Sequence, residues 1–230
     1  MDIIDKLLKS DETSIRYKTL VNILGENLES PKIKKARNDI KRSQRVNLLL
    51  SERDNNGRIP HHPYHKWRGA HWVLVNLADL CYPPGDKKLI PLRDQVYDWL
   101  FSEAHQKNIR LIKGLTRRCT SQEGNAIYST LMLGIADERT DELARRLVEW
   151  QWPDGGWNCD KNPNAKNSSY IETITPLRGL ALYSRITGEK SAARAVKKAA
   201  ELLLTRHLFK RQSDGGIMKE SFIQRPFLNL

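Results

Sequence analysis

Two kinds of helix alternate along this 230-residue chain, and the alternation restricts its fold more than any other feature. The stretch 67–80 is apolar on nearly every side, whereas 89–100 keeps one apolar stripe beside charged residues. A helix that is apolar all round must be buried, and a helix with one stripe lies at a surface. The same pair recurs at 120–136 with 141–152 and at 169–186 with 191–207. The pattern predicts an all-α array of helical hairpins with inner and outer helix layers.

Loops that contain glycine separate these hairpins. The turn at 154–156, Asp-Gly-Gly, can reverse the chain because glycine adopts positive φ without steric cost. We expect Trp157, just after the turn, and Gln151, just before it, to pack across helix ends and join one hairpin to the next. Similar turns are predicted at Gly57, Gly114 and Gly216. Their irregular spacing, roughly 40 to 60 residues, is typical of a helical-hairpin repeat.

The motif QWPDGGW, which begins at Gln151, is similar to the QW-type repeat of squalene and other triterpene cyclases. Three longer stretches resemble a bacterial and archaeal branch of the same superfamily, namely HPYHKWRGAHWVLVNLADLCYPPGD, CTSQEGNAIYSTLMLGIADER and QWPDGGWNCDKNPNAKNSSYIETITPLRGLALY. The resemblance extends from about Gly57 to about Gly216. It implies the α/α toroid that these terpenoid cyclases share with the β subunits of protein prenyltransferases. Three hairpins do not close a ring, so we expect an incomplete toroid.

Residues 1–53 lack the glycine-rich loop, and we predict that they form an N-terminal helical cap on the repeat region, 54–230. Within the cap, Gly25 fits the C-terminal end of a helix, and Ser30-Pro31 fits the start of the next one. The final ten residues, SFIQRPFLNL, are apolar and follow the fourth loop. We expect them to form an edge that favours a homo-oligomer. Leu230 is then a truncation point, the end of a natural short form, or an edge that another chain covers.

The chain has 39 Lys and Arg against 27 Asp and Glu, a net charge of +12, so its surface attracts anions. We interpret the basic stretches 31–45, 110–118 and 190–211 as solvated faces of outer helices. No apolar run is long enough to span a bilayer, and the first residues lack the apolar segment of a signal peptide. These features indicate a cytoplasmic protein that is not transmembrane. Three widely spaced cysteines indicate reduced thiols rather than a disulfide framework.

Candidate catalytic groups lie where the glycine-rich loops meet the N-termini of inner helices, which attract anions. Triterpene cyclases protonate an alkene with a DxDD motif, and this sequence has no such motif. The candidate acids and bases are Asp160, Glu123, His71 and Glu172. Both glutamates also fit a capping box, with Thr120 and Ser169 as the respective cap residues, which would be a purely structural role.

Two incomplete metal motifs occur. The stretch HHPYHKWRGAH places four histidines within 61–71, which could offer imidazoles to zinc. Cys159-Asp160 echoes the zinc motif of prenyltransferase β subunits, but the spacing differs from D-x-C and the matching histidine is absent. The preferred interpretation is therefore an ordered loop whose histidines cap helices, with no metal and no other cofactor. Cys119, beside two arginines, is either a thiolate or a small buried residue at a helix start.

The residues expected to contact a substrate are aromatic, basic or amide side chains near the same helix ends. They are Tyr64, Trp67, Arg117, Arg118, Asn125, Tyr128, Trp157, Tyr170 and Arg178. Aromatic rings there either line an apolar cavity or are simple core. The resemblance implies an isoprenoid or another apolar molecule with an anionic head, held in a cavity between inner helices. The alternative is a non-catalytic basic scaffold that binds protein or nucleic acid through exposed lysines such as Lys197 and Lys198.

Overall fold

The computed structural model describes residues 2–212 and 214–220. Within these residues the chain is mostly helical, with eleven α-helices and one small sheet, which confirms the all-α prediction. The helices are α1 (Ile3–Leu8), α2 (Thr13–Lys18), α3 (Pro31–Asp39), α4 (Gln44–Leu50), α5 (Ala70–Asp79), α6 (Ile90–Phe101), α7 (Glu103–Gln106), α8 (Ser121–Met132), α9 (Glu138–Glu149), α10 (Tyr170–Thr187) and α11 (Lys190–Thr205). The strands are β1 (Arg110–Ile112) and β2 (Leu115–Arg117). The toroidal ring stays a prediction.

The helices predicted from the alternation, α5, α6, α8, α9, α10 and α11, are all present, with ends within about one helical turn of the predicted ones. In the N-terminal region, the Ser30 hydroxyl accepts a hydrogen bond from the Ile33 N–H at 3.3 Å, as a helix cap should. Gly25 has a φ of +66°, which suits the end of a helix.

The region around Gly114 differs from the prediction. Strands β1 and β2 pair antiparallel, with Ile112 opposite Leu115, so Gly114 lies in the turn of a β-hairpin and not between helices. The interpretation of 110–118 as a solvated helix face is therefore wrong. Arg117 is only 2% exposed and Arg118 only 6% exposed, because β2 runs into the interior.

The described chain divides into two compact units. Unit 1 comprises Met1–His105 and Asn125–Asp141, and unit 2 comprises Gln106–Gly124 and Glu142–Leu230. In unit 1, α5 is buried on most of its faces, as its apolar sequence predicts. A buried polar contact also stabilises unit 1, because the Tyr97 hydroxyl lies 2.9 Å from the Thr130 hydroxyl and 2.6 Å from that of Thr140.

In unit 2, the glycine-rich turn joins α9, α10 and α11. The indole N–H of Trp157 donates to the Leu147 carbonyl at 2.9 Å, and Trp157 is almost fully buried. The Gln151 amide donates to the Ala195 carbonyl of α11 at 2.8 Å. These contacts confirm the predicted joining role of the two side chains. They hold the loop that follows the turn, 158–168, in place.

The backbones of α8 and α10 approach closely within unit 2. A Cβ atom added to Gly179 would lie 2.5 Å from the Gly124 carbonyl oxygen. One added to Gly124 would lie 2.6 Å from the Pro176 nitrogen. Only glycine fits at such separations, so these two residues let the first turn of α8 pack closely against α10.

No helix among residues 2–212 and 214–220 is long and apolar enough to cross a membrane. The apolar stretch predicted to favour self-association covers residues 221–230 and lies outside the described residues.

Candidate metal centre

Two chain segments of unit 2 are held together by backbone contacts. Arg117 and Asn158 form a parallel β-bridge, and the Arg118 N–H donates to the Asn158 carbonyl at 3.2 Å. Cys119 follows the first segment and Cys159 follows the second. The two cysteines are forty positions apart in sequence, but both lie within two residues of the bridge, which brings their side chains close together.

Glu172, in the first turn of α10, completes a three-residue cluster. One ligand atom from each of Cys119, Cys159 and Glu172 lies within 4.8 Å of the others. Both thiols are half-buried, and Glu172 is 7% exposed. Among the described residues this is the one group of three possible metal-ligand side chains, and the histidines of 61–71 do not form another.

Glu172 caps a different helix from the one predicted. Its Oε2 accepts the Ser121 N–H at 2.8 Å, at the start of α8, and Ser169 makes no side-chain cap for α10. The capping box at Ser169 is therefore wrong. The reason is the close approach of the two helices, which brings unpaired N–H groups of α8 within reach of the carboxylate.

Pro176 contributes to the same contact from inside α10. Proline has no N–H, so the carbonyl of Glu172, four residues earlier, lacks its helical donor. The Thr120 hydroxyl donates to that carbonyl at 3.0 Å. The segment that carries Cys119 is thus hydrogen-bonded to both the backbone and the side chain of Glu172.

The pKa values of the three cluster residues are shifted in different directions. A hydrogen bond from the Cys159 thiol lowers the pKa of Cys119, and the same bond raises the pKa of Cys159. Burial raises the pKa of Glu172, although hydrogen bonds from Ser121 oppose this. The charge of Arg118 also lowers the pKa of Cys119, whereas the carboxylates of Glu172 and Glu123 oppose this.

A buried ion pair adjoins the cluster. The Arg118 Nε donates to Glu123 Oε1 at 2.9 Å, and both side chains are almost fully buried. Glu123 was a candidate acid, and burial raises the pKa of its carboxyl while Arg118 lowers it. Arg118 was a candidate anion ligand, but the Glu123 carboxylate already neutralises its charge.

Arg117 is also held within the protein. Its guanidinium lies 4.3 Å from the centre of the Trp152 ring, and Nη2 donates to the Ala165 carbonyl at 3.0 Å. Nε and Nη1 have no hydrogen-bond partner among the described residues. The cation–π contact with Trp152 and the hydrogen bond to Ala165 are therefore the interactions that hold this guanidinium among the described residues.

Asp160, Trp157, Tyr170 and Arg178 are the remaining predicted site residues of unit 2. Asp160 is exposed, and its Oδ1 accepts the Asn162 N–H at 2.8 Å in the following loop. Trp157 is almost fully buried. Tyr170 and Arg178 lie on α10 and are half-buried.

Unit 1 contains the other predicted residues. His71 is fully buried among aromatic rings, with the Tyr64 ring 5.2 Å away and the Trp72 ring 5.3 Å away. Burial lowers its pKa to about 3, so the imidazole is neutral at pH 7, and neither ring nitrogen has a hydrogen-bond partner among the described residues. Trp67 is 62% exposed. On the unit 1 part of α8 lie Asn125, which is buried, and Tyr128, whose hydroxyl donates to Asp79 at 3.1 Å.

No family model, curated protein or solved structure matches this chain.

The cluster combines one residue from the predicted catalytic set, Glu172, with two cysteines that were assigned no metal role. Cys119 and Cys159 are forty positions apart, so their spacing in the sequence does not indicate that they meet. The available signal was weak: Cys119 lies just before the start of α8, and Cys159 lies in the loop that leads from the glycine-rich turn to α10.

Proposed function

We propose that unit 2 binds a thiophilic divalent metal ion, Zn²⁺ above all, through Cys119, Cys159 and Glu172. The supporting observation is the convergence of their three ligand atoms within 4.8 Å. Tetrahedral zinc with Zn–S bonds of about 2.3 Å holds two sulfurs about 3.8 Å apart. Side-chain movements of about an ångström therefore bring the ligands to coordination distance.

The ligand types favour zinc over the abundant hard cations. Two thiolates are soft ligands that select zinc or copper, whereas magnesium and calcium require oxygen ligands. The hydrogen bond from Ser121 holds Glu172 in orientation, as the outer contacts of metal ligands commonly do. These ligands do not match the D-x-C motif of prenyltransferase β subunits, so the family resemblance contributes nothing to this centre.

Three protein ligands leave one position of a tetrahedral ion for water or a substrate, which is typical of catalytic zinc rather than closed structural zinc. The half-buried cysteines give access to that position. We therefore propose a metal centre able to polarise a bound molecule.

The isoprenoid-handling role stays a prediction from the family resemblance. The alternative, a basic scaffold for protein or nucleic acid, stays a prediction from the net charge and the exposed lysines. Trp67 is exposed enough to report on an added ligand by its fluorescence. Quenching by farnesyl diphosphate but not by inorganic diphosphate would favour the first role, provided that Trp67→Ala abolishes it. Binding to polyanions that weakens steeply with salt would favour the scaffold.

Calorimetric titration of Zn²⁺ into the chelator-treated full chain tests the metal proposal. We expect one ion per chain, and at least about a 10-fold loss of affinity in Cys119→Ser and Cys159→Ser. Cys81→Ser is the matched control because Cys81 is also half-buried but belongs to unit 1. Binding that is equally strong in all three variants would refute the proposed centre.

A further inference from the structure

We propose that Cys119 and Cys159 are a reversible disulfide site, and that their oxidation removes two ligands from the metal centre. The disulfide itself is independent of any metal. The regulation of the centre rests on the proposed function.

The backbone supplies the first argument. The bridge between Arg117 and Asn158 and the hydrogen bond from Arg118 hold the two segments at strand spacing, about 4.8 Å. Disulfides need Cα atoms about 4.4–6.8 Å apart. Cys159 directly follows Asn158, and Cys119 lies two residues after Arg117, so both cysteines are close to the bridge and the main chain needs little movement to meet this requirement.

The side chains supply the second argument. The two sulfurs lie within 4.8 Å of each other, so small side-chain rotations bring them to bonding distance. Both are half-buried, which leaves a path for a small oxidant. Cys81 is the third cysteine of the chain and lies in unit 1.

The oxidant we propose is a peroxide. One thiol attacks a peroxide oxygen, which gives a sulfenic acid and, from hydrogen peroxide, one water. The second thiol then attacks the sulfenic sulfur, the S–S bond forms, and a second water leaves. The two thiols together lose two electrons and two protons, and the peroxide takes up both and is reduced to two waters. A dithiol reductant reverses the change by thiol–disulfide exchange.

Metal binding and disulfide formation exclude each other because a metal ion requires both sulfurs as thiolates. A bound ion therefore protects the thiols, and oxidation leaves Glu172 as the one remaining ligand of the three. The forty-residue separation of the cysteines also makes the cross-link favourable, since closing a long loop restricts the unfolded chain.

The test is oxidation of the chelator-treated full chain with hydrogen peroxide, followed by thiol counting in denaturant and peptide mapping without reductant. We expect two of the three thiols to disappear, a Cys119–Cys159 peptide, and full recovery with dithiothreitol. Cys81→Ser should form the same cross-link, whereas Cys119→Ser and Cys159→Ser should not. Circular dichroism confirms that each variant is folded.

Retention of all thiols, oxidation without a cross-link, or a cross-link through Cys81 would overturn the disulfide site. The oxidised chain should bind Zn²⁺ at least about 100-fold more weakly than the reduced chain. Undiminished zinc affinity in the cross-linked chain would overturn the regulatory link. Two results together would separate the proposals. If peroxide forms the Cys119–Cys159 cross-link but the untreated, reduced chain does not bind zinc, the proposed metal function fails and the disulfide site stands.

Discussion

The carboxylate of Glu172 on α10 accepts the Ser121 N–H at the start of α8 at 2.8 Å. One side chain thus serves as a cap for a neighbouring helix and as a proposed metal ligand. The two roles require different properties, because a cap needs only an acceptor oxygen whereas zinc prefers a negative charge.

Substitution of Glu172 can separate these roles. Glu172→Gln keeps an acceptor for Ser121 and buries no charge, so we expect the metal-free unfolding free energy to change by less than about 1 kcal/mol. Glu172→Ala removes the acceptor and should cost about 1–2 kcal/mol. Both variants should lose at least about 10-fold in zinc affinity. Urea denaturation and calorimetry would measure the two effects, and unchanged zinc affinity in Glu172→Gln would remove Glu172 from the centre.

The buried Arg118–Glu123 pair allows a double-mutant test. Arg118→Met leaves the Glu123 carboxylate buried without its charged partner, which typically costs about 3–5 kcal/mol. Adding Glu123→Leu removes that charge, so the double variant should be more stable than Arg118→Met alone. Urea denaturation of the single and double variants would measure this. Strictly additive losses would mean that the two side chains do not depend on each other.

The close contact between α8 and α10 predicts that one methyl group added at Gly179 lowers the unfolding free energy substantially. Gly179→Ala would place a Cβ 2.5 Å from the Gly124 carbonyl oxygen, and we expect a loss of about 2–3 kcal/mol. Gly188→Ala is the control, because Gly188 has open space around it but a φ of +75°. Its cost should be only about 1 kcal/mol, from backbone strain. Thermal unfolding of both variants would measure the two losses of stability. Equal losses in Gly179→Ala and Gly188→Ala would contradict the steric explanation.

His71 predicts a specific sensitivity to acid. Burial lowers its pKa from 6.5 to about 3, so the unfolded chain binds a proton in this window that the folded chain does not. The unfolding free energy therefore falls as pH decreases from 6.5 towards 3, by at most about 1.4 kcal/mol per pH unit.

His71→Phe tests this because phenylalanine cannot be protonated, and no hydrogen bond is lost. At pH 7 we expect a change of less than about 1 kcal/mol. Between pH 7 and pH 5 the variant should lose about 2 kcal/mol less stability than the natural chain. Urea denaturation of the variant and of the natural chain at pH 7 and pH 5 measures this difference in stability loss. The contributions of the other titrating groups are the same in both proteins and cancel. Identical pH profiles would show that His71 takes up protons in the folded state.

The helices could be predicted from sequence because their signals are local. The apolar faces of α5 and α6 and the cap at Ser30 depend only on neighbouring residues. The β-hairpin could not be predicted in the same way. Its residues carry charges at a spacing that also suits a solvated helix, and only the burial of Arg117 and Arg118 distinguishes the two.

The candidate site could be predicted only in part, because its geometry is non-local. Glu172 was recognised as a candidate, but its capping partner was assigned from sequence spacing alone. The actual partner, Ser121, is reached only because Gly124 and Gly179 let the helices touch. Cys119 and Cys159 meet through a single β-bridge, which no periodicity indicates.

Pro176 makes the first turn of α10 dependent on a distant part of the chain. Without its own donor at that position, the turn that carries Glu172 relies on the Thr120 hydroxyl. The turn should therefore open whenever the Thr120 segment detaches, and amide exchange in both places should occur in the same opening event. Cys119, Cys159 and Glu172 would then come together or separate in one step. States in which only two of the three are in place would be rarely populated.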